Sequence, residues 1–275
     1  MGKKKEKRKE MPENSEKKTK KVLSKKGKIA IDILLTVSLC VAAFSGYKLV
    51  SGLIGYKQAD EKYDTLKSEA KETAPTSQTV SNASFIDWNY LASQNANVAA
   101  WITLPDSVID YPVTYSDDNS YYLDHLFDGT SNYAGCVFVD YRNARGFTDK
   151  NTVFYAHYMY NGEGRMFTAL NNYTDQSYYD THKVFTIDTP TALYQMKVVA
   201  GIETTGTSDY IHLTFGSNDE FLNYVNSFVE NSTFQSDVTI GANDQMITLS
   251  TCSPKNSDGR YALIGKLEKI KDYDK

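Results

Sequence analysis

Residues 29–50 form a run of 22 mostly apolar residues, and no other feature limits what this chain can fold into as strongly. About 20 apolar residues in a helix span the hydrocarbon core of a bilayer. The run therefore predicts one membrane crossing over 29–54, with Leu53 and Ile54 extending its apolar surface. Asp32 and Lys48 lie near its two ends, where each can reach the interface. Charge changes sign at the same place. Residues 1–28 carry 13 Lys and Arg against 4 Glu, a net of +9. The rest carries 17 against 30 Asp and Glu, a net of −13, and the two sum to the overall −4. A basic flank stays cytoplasmic, so the expectation is a single-pass protein with its N-terminus inside and residues after the span outside.

Other readings of this segment fit less well. Val41-Ala42-Ala43 has the small residues of a signal-peptide cleavage site. Yet the basic region and the apolar run both exceed the usual signal pattern, whose apolar part is about 7–15 residues. A lipoprotein cysteine at Cys40 would need a small residue where Leu39 stands. The basic tail of 1–28 beside a span suits contact with anionic lipid better than nucleic acid, and no nucleic-acid partner is expected.

Beyond the span, residues 55–84 read as a stalk. Its first part is charged and helix-permissive, with Tyr56, Tyr63, Leu66 and Ala70 at roughly helical spacing. Residues 75–84 are rich in Ser, Thr and Asn and read as a linker. The 191 residues of 85–275 suffice for one domain with a substantial core. Short apolar runs at 98–104, 108–114, 135–140, 152–157, 184–187, 193–204, 246–252 and 261–270 read as strands. A short helix is expected at 85–96, a helical turn at 166–170, and a helix at 218–230 opened by Asp219-Glu220. Eight short strands with a few small helices predict a mostly β fold, a closed or nearly closed barrel. The 21 tyrosines fit an extracellular β domain, because Tyr packs one face and hydrogen-bonds at its tip.

The chemistry concentrates at Thr248-Leu249-Ser250-Thr251-Cys252, with Arg260 eight residues on at the head of another apolar run. Strand alternation puts Ile247, Leu249 and Thr251 on one face and Thr248, Ser250 and Cys252 on the other. The first set suits a core and the second a polar groove. Ser253-Pro254 ends the strand, since proline cannot donate to the ladder. A thiol at a strand end beside a cation is how a cysteine becomes nucleophilic. With only Cys136 and Cys252 outside the span, the domain is not a disulfide scaffold. Cys136 reads as an inert buried thiol, and a Cys136–Cys252 bridge is the alternative that would remove the chemistry. A nucleophilic thiol needs a group to give and take protons. His157 ends the run Thr152–His157 in the same way that Cys252 ends its strand, before the permissive loop Asn161-Gly162-Glu163-Gly164. Spacing alone does not choose it over His125, His182 and His212. No metal-ligand spacing and no glycine-rich phosphate loop is present, so no metal and no cofactor is expected.

These residues carry a resemblance. Thr248-Leu249-Ser250-Thr251-Cys252, Arg260 opening the last strand, and Phe154-Tyr155-Ala156-His157 about 95 residues upstream of the cysteine resemble a class B sortase. Sortases are membrane-anchored cysteine transpeptidases of Gram-positive bacteria. The likeness covers about residues 85–275. It takes in Trp101-Ile102, Asn119-Ser120-Tyr121-Tyr122-Leu123, residues 135–143, Met166-Phe167 and Asp209-Tyr210-Ile211.

It implies a closed eight-stranded sortase-type β-barrel with an N-terminal helix and a helix before the penultimate strand. It implies cleavage of a C-terminal sorting signal of secreted proteins, of the Asn-Pro-x-Thr type. Cys252 would attack the threonine carbonyl and form a thioacyl enzyme, with His157 as acid and then base. Arg260 would hold the substrate backbone and stabilise the oxyanion. The acceptor would be an amine of a cell-wall precursor or of a pilin. Asn119, Leu123, Thr207, Tyr210, Ile211 and Ser250 resemble positions that hold the peptide. Two departures stand out. Ala156 replaces a frequent glycine, and Pro254 lies where some members carry an acid, so an acidic helper for His157 has no support at that position. A membrane-tethered adhesion or binding domain with an incidental Cys252, and a hydrolytic cysteine protease, are the competing readings.

Overall fold

The structure is a computed structural model that describes residues 24–71, 86–159 and 164–273. Most of the basic tail, the linker at 75–84, and Asn161, Gly162 and Glu163 of the expected loop lie outside the described residues. Contacts divide the chain after Val50 into two units.

Over its described residues the first unit is the leading part of helix α1 (Lys25–Lys71), with apolar side chains such as Leu34 and Leu39 exposed on every side. A helix apolar all round needs an apolar surround. Among the described residues it is the one helix long and apolar enough to cross a membrane.

The second unit begins with the rest of α1. Ala59, Tyr63, Leu66 and Ala70, spaced four, three and four apart, share one face and are buried in the main core. The expected stalk of 55–84 therefore divides. Its helical part is docked on the barrel, and residues 72–85 lie outside the described residues. Charge complements the apolar stripe. Lys67 and Lys71 reach the Asp110 carboxylate at 2.5 and 2.6 Å, Lys62 reaches Asp128 at 2.6 Å, and Asp60 holds Arg165 by two hydrogen bonds.

A short helix α2 (Trp88–Gln94) follows, capped by the Asp87 side chain accepting from the Tyr90 N–H at 2.9 Å. The eight strands are β1 (Val98–Thr103), β2 (Asp110–Thr114), β3 (Val137–Val139), β4 (Asn151–Tyr155), β5 (Val184–Asp188), β6 (Ala192–Thr205), β7 (Gln245–Cys252) and β8 (Gly259–Asp272). They close into a barrel in the order β1-β2-β3-β4-β7-β8-β6-β5, the expected architecture. Pairs β2–β3 and β4–β7 are parallel and the others antiparallel. The expected helical turn at 166–170 forms slightly later, as a 3-10 segment over Thr168–Thr174. Met166 takes a φ of 52° and bridges to Tyr158, so it cannot start a helix. Helix α3 (Gln176–Thr181), which periodicity did not reveal, is set by the Asp175 cap on Ser177. Helix α4 (Asn218–Glu230) precedes the penultimate strand, as expected, and Ser217 caps it at the Glu220 N–H.

Strands β7 and β8 separate two cores. Ile247, Leu249, Tyr261 and Leu263 face the main one, while Met246, Ala262 and Ile264 pack with Phe221, Val225 and Phe228 of α4. Alternation thus sorted the β7 side chains correctly but not their surroundings. Thr248 and Ser250 are buried, because α4 and the Tyr210 segment cover their face, and of the two only Ser250 reaches the edge of an open cavity. Their hydroxyls are satisfied there, Thr248 by Asn151 and Ser250 by Tyr210, both at 2.9 Å. Only Cys252, at the strand end, is partly exposed.

Candidate active site

The register of β7 places the chemistry. Cys252 is the direct cross-strand partner of Arg260 on β8. Directly opposed residues have Cβ atoms about 4.5–5.5 Å apart, so thiol and guanidinium share one patch of sheet. On the other side, β4 pairs with β7 as far as Tyr155 against Ser250, and the Ala156 N–H continues to the Ser250 carbonyl at 3.3 Å. Two residues beyond Tyr155, His157 comes level with Cys252. The strand end is held in place. The Ser253 N–H donates to the Gly259 carbonyl at 2.9 Å, closing the β7–β8 turn, and the Asn171 side chain donates to the Cys252 carbonyl at 3.0 Å.

His157 lies 2.6 Å through Nε2 from the Leu123 carbonyl oxygen. A carbonyl only accepts, so Nε2 carries the hydrogen, and Nδ1 is the basic nitrogen of the neutral ring. The Arg260 Nη1 donates to its neighbour's carbonyl, Gly259, at 3.0 Å and lies 3.6 Å from Asp258. Gly206 closes over the same guanidinium. A Cβ there would stand 2.8 Å from Nη2 and 2.7 Å from the Asp258 carboxylate.

These groups open on one cavity of about 320 Å³. Its walls are Asn119, Leu123, Phe138, Tyr155, Ala156, His157, Tyr210, Ser250, Thr251, Cys252 and Arg260. Of the six residues expected to hold a peptide, Asn119, Leu123, Tyr210 and Ser250 are in this wall and Thr207 and Ile211 are not. Thr207 is exposed in the turn after β6, its N–H donating to Asp258 at 3.2 Å. Ile211 packs against the second core. The other histidines lie elsewhere: His125 stacks on Tyr121, His182 ends α3, and His212 sits by Asp209 and Tyr224. Both barrel cysteines are free, so the bridge that would have removed the chemistry is absent. Burial pushes the Cys136 thiol up to about 12, which keeps it protonated and unreactive. Among the described residues, no three His, Cys, Asp or Glu side chains converge as a metal site.

Sequence reasoning missed Tyr155 and the group behind it. The clue was available, since the expected strand 152–157 puts Tyr155 two residues before His157 and so on the same face. Its hydroxyl donates to the buried Asp140 at 2.9 Å. The same carboxylate accepts from Asn119 at 3.1 Å and from Arg142 through two guanidinium nitrogens and the backbone N–H at 2.7–3.0 Å. Two cavity walls thus hang on one carboxylate. Burial alone would raise Asp140, but Arg142 and the Tyr155 hydroxyl hold it below the usual 3.8.

A depressed pKa means stability that is fully present above the unfolded value and lost as pH falls through the lower folded one. Asp140→Asn is expected to cost about 1–3 kcal/mol at neutral pH. In urea unfolding, its deficit against the parent should shrink below about pH 4, where the unfolded aspartate begins to protonate. A deficit that stays constant down to pH 2 would show that the carboxylate's charge is not what holds the network.

No family model matches the chain. Two curated relatives do. Sortase B of Listeria monocytogenes is 34% identical over 236 residues, covering 85% of this chain and 95% of that protein. Sortase B of Staphylococcus aureus is 28% identical over 242 residues, covering 87% and 96%. Among solved structures, the Staphylococcus aureus sortase B–substrate complex superposes with a TM-score of 0.71 at 27% identity, covering 79% of this chain and 99% of that one.

Proposed function

This chain belongs to the class B sortases and is a cysteine transpeptidase, and on that premise we propose that Cys252, His157 and Arg260 carry out its reaction on a C-terminal sorting signal of the Asn-Pro-x-Thr type. The observation that carries this reading is the convergence of a free, part-exposed thiol, its cross-strand guanidinium and the His157 imidazole on one cavity. The Cys252 thiolate adds to the threonine carbonyl. Collapse of the tetrahedral adduct breaks the C–N bond, and the departing amine takes a proton from His157. Nε2 is held by Leu123, so Nδ1 serves that proton. The thioacyl enzyme then meets an amine of a cell-wall precursor or a pilin, whose proton passes back to Nδ1. Arg260 faces the oxygen on which charge develops, where a fixed donor is most effective.

Asn119, Leu123, Tyr210 and Ser250 are the cavity positions that would bind the signal, and Asp140 orients Asn119 and Tyr155. That Staphylococcus aureus sortase B has been solved with a substrate supports a peptide in this trough. The domain division follows: a basic tail at 1–28 in the cytoplasm, a span at 29–54, and a catalytic domain over 85–275 outside the cell, with the helical part of 55–84 docked on it.

Detergent-solubilised full chain mixed with an Asn-Pro-x-Thr peptide and a glycine-based amine should give a thioacyl adduct on Cys252 by mass spectrometry and then the amide product. Peptide hydrolysis indifferent to added amine would make the protein a protease. A sorting-signal library that never labels Cys252 would favour a binding module.

A further inference from the structure

We propose that the part of α1 following the apolar run is a clamp that positions the His157 imidazole, so that this helix belongs to the working site as well as to the anchor. The inference rests on the reading of His157 as the proton-transfer group.

The helix grips the two segments that frame that ring. On one flank stands the turn leading into β3. The buried Tyr63 hydroxyl donates to the Gly135 carbonyl at 2.6 Å, and the Asn132 side chain donates to the Gly55 carbonyl at 2.8 Å. Gly135 has a φ of +64°, in the region that favours glycine, and leaves no room for a side chain beside the histidine. A methyl group at this position would stand 2.6 Å from the Tyr122 carbonyl oxygen, 3.0 Å from that of Leu123 and 3.2 Å from Cδ2 of His157. The next residue carries the link: the Cys136 N–H donates to the Tyr122 carbonyl at 2.9 Å, so a shift of the Gly135 turn is passed to the Tyr122-Leu123 segment, whose Leu123 carbonyl binds Nε2 of the imidazole.

On the other flank is the segment returning from the loop after His157. Asp60 of the helix binds Arg165 through two hydrogen bonds. Two residues on, the Phe167 N–H donates to the carbonyl of His157 at 3.0 Å. The helix thus fixes the ring through Gly135 and the backbone through Arg165.

The consequence is specific. Loosening the grip should leave the fold standing but free the imidazole to change its hydrogen-bonded nitrogen, and the reacting proton depends on that choice. Removing one such bond is worth about fivefold in rate.

The test uses full-length protein in detergent, labelled with ¹⁵N-histidine, as parent, Tyr63→Phe, Asp60→Asn and Lys62→Ala. Lys62→Ala breaks another ion pair of the same helix, to Asp128 in the loop before β3, leaves the Tyr63 and Asp60 bonds in place, and controls for docking alone. The parent is expected to show His157, assigned by loss of its signal in His157→Gln, as a single Nε2–H tautomer. Tyr63→Phe and Asp60→Asn should mix in the other tautomer and shift the pH profile of Cys252 alkylation, read on its peptide by mass spectrometry. They should also cut kcat about fivefold with KM little changed. Lys62→Ala should leave the histidine signal and the alkylation profile as in the parent. If Tyr63→Phe and Asp60→Asn leave both as in the parent and lose activity only as far as their Tm falls, the clamp is refuted. The alkylation profile needs no peptide. A parent that transfers no sorting signal, but whose thiol profile responds to Tyr63→Phe, would overturn the proposed substrate while upholding the clamp.

Discussion

Cys252→Ala is expected to abolish thioacyl formation and amine transfer altogether, a fall of at least about 10⁴-fold in turnover. No other group can stand in. The second thiol of the barrel, Cys136, is wholly buried, lies 3.3 Å from the Val137 carbonyl, and is held protonated by burial. An alkylating probe applied to the folded parent should therefore mark Cys252 and spare Cys136. The alanine side chain fills less space at a half-exposed strand end, so Tm should move little. Residual adduct in Cys252→Ala would mean that another residue is the nucleophile, and the reading of the cavity would have to be abandoned.

Arg260→Lys is expected to lower kcat/KM by about 10²–10³-fold, the usual cost of losing an oxyanion donor, with the fold retained. Charge is kept in this variant, so the loss measures geometry. The guanidinium is a planar fork whose direction is set on one side by the Gly259 carbonyl and on the other by Gly206 and Asp258. An ammonium is a single point on a flexible stem and cannot present two donors along a fixed line. Comparing kcat/KM with Tm separates the two possibilities. A parent-like rate in a folded Arg260→Lys would remove Arg260 from the reaction and leave it a surface cation beside Asp258.

The strands were legible because each is a short apolar run bounded by turn residues, a pattern that needs only near neighbours. Cys252 was legible because its alternation and the following Ser253-Pro254 marked a strand end. Two site features lay out of reach. Asp140 is a lone acid after an apolar strand, and nothing local connects it to Asn119, 21 residues earlier, or to Tyr155, 15 residues later. The docking of 56–71 was half visible, since Tyr63, Leu66 and Ala70 showed helical spacing. Spacing does not say what covers the face, and a stripe of four residues flanked by lysines also describes a solvated spacer. The polar appearance of Thr248 misled in the same way, and that of Ser250 only in part, since it is buried yet borders the cavity. Hydroxyls satisfied by Asn151 and Tyr210 can be buried at no great cost, and residue type alone does not report the partner.

The amino-acid sequence by itself determined the apolar helix with its basic flank, the eight strands, the placement of α4 and the chemical identity of the thiol and the cation. All of these follow from composition and short-range periodicity, which act on a residue and its neighbours within a turn or two. Only the tertiary structure decided that β7 lies between β4 and β8, and so which of four histidines shares a cavity with Cys252. It also decided that Arg260 stands directly across from the thiol and that the later part of α1 packs into the barrel core with Tyr63 bonded to the Gly135 turn. Those arrangements join residues up to about a hundred positions apart, and barrel closure fixes their register, because a slip of one residue would turn every buried side chain of β7 to the wrong core.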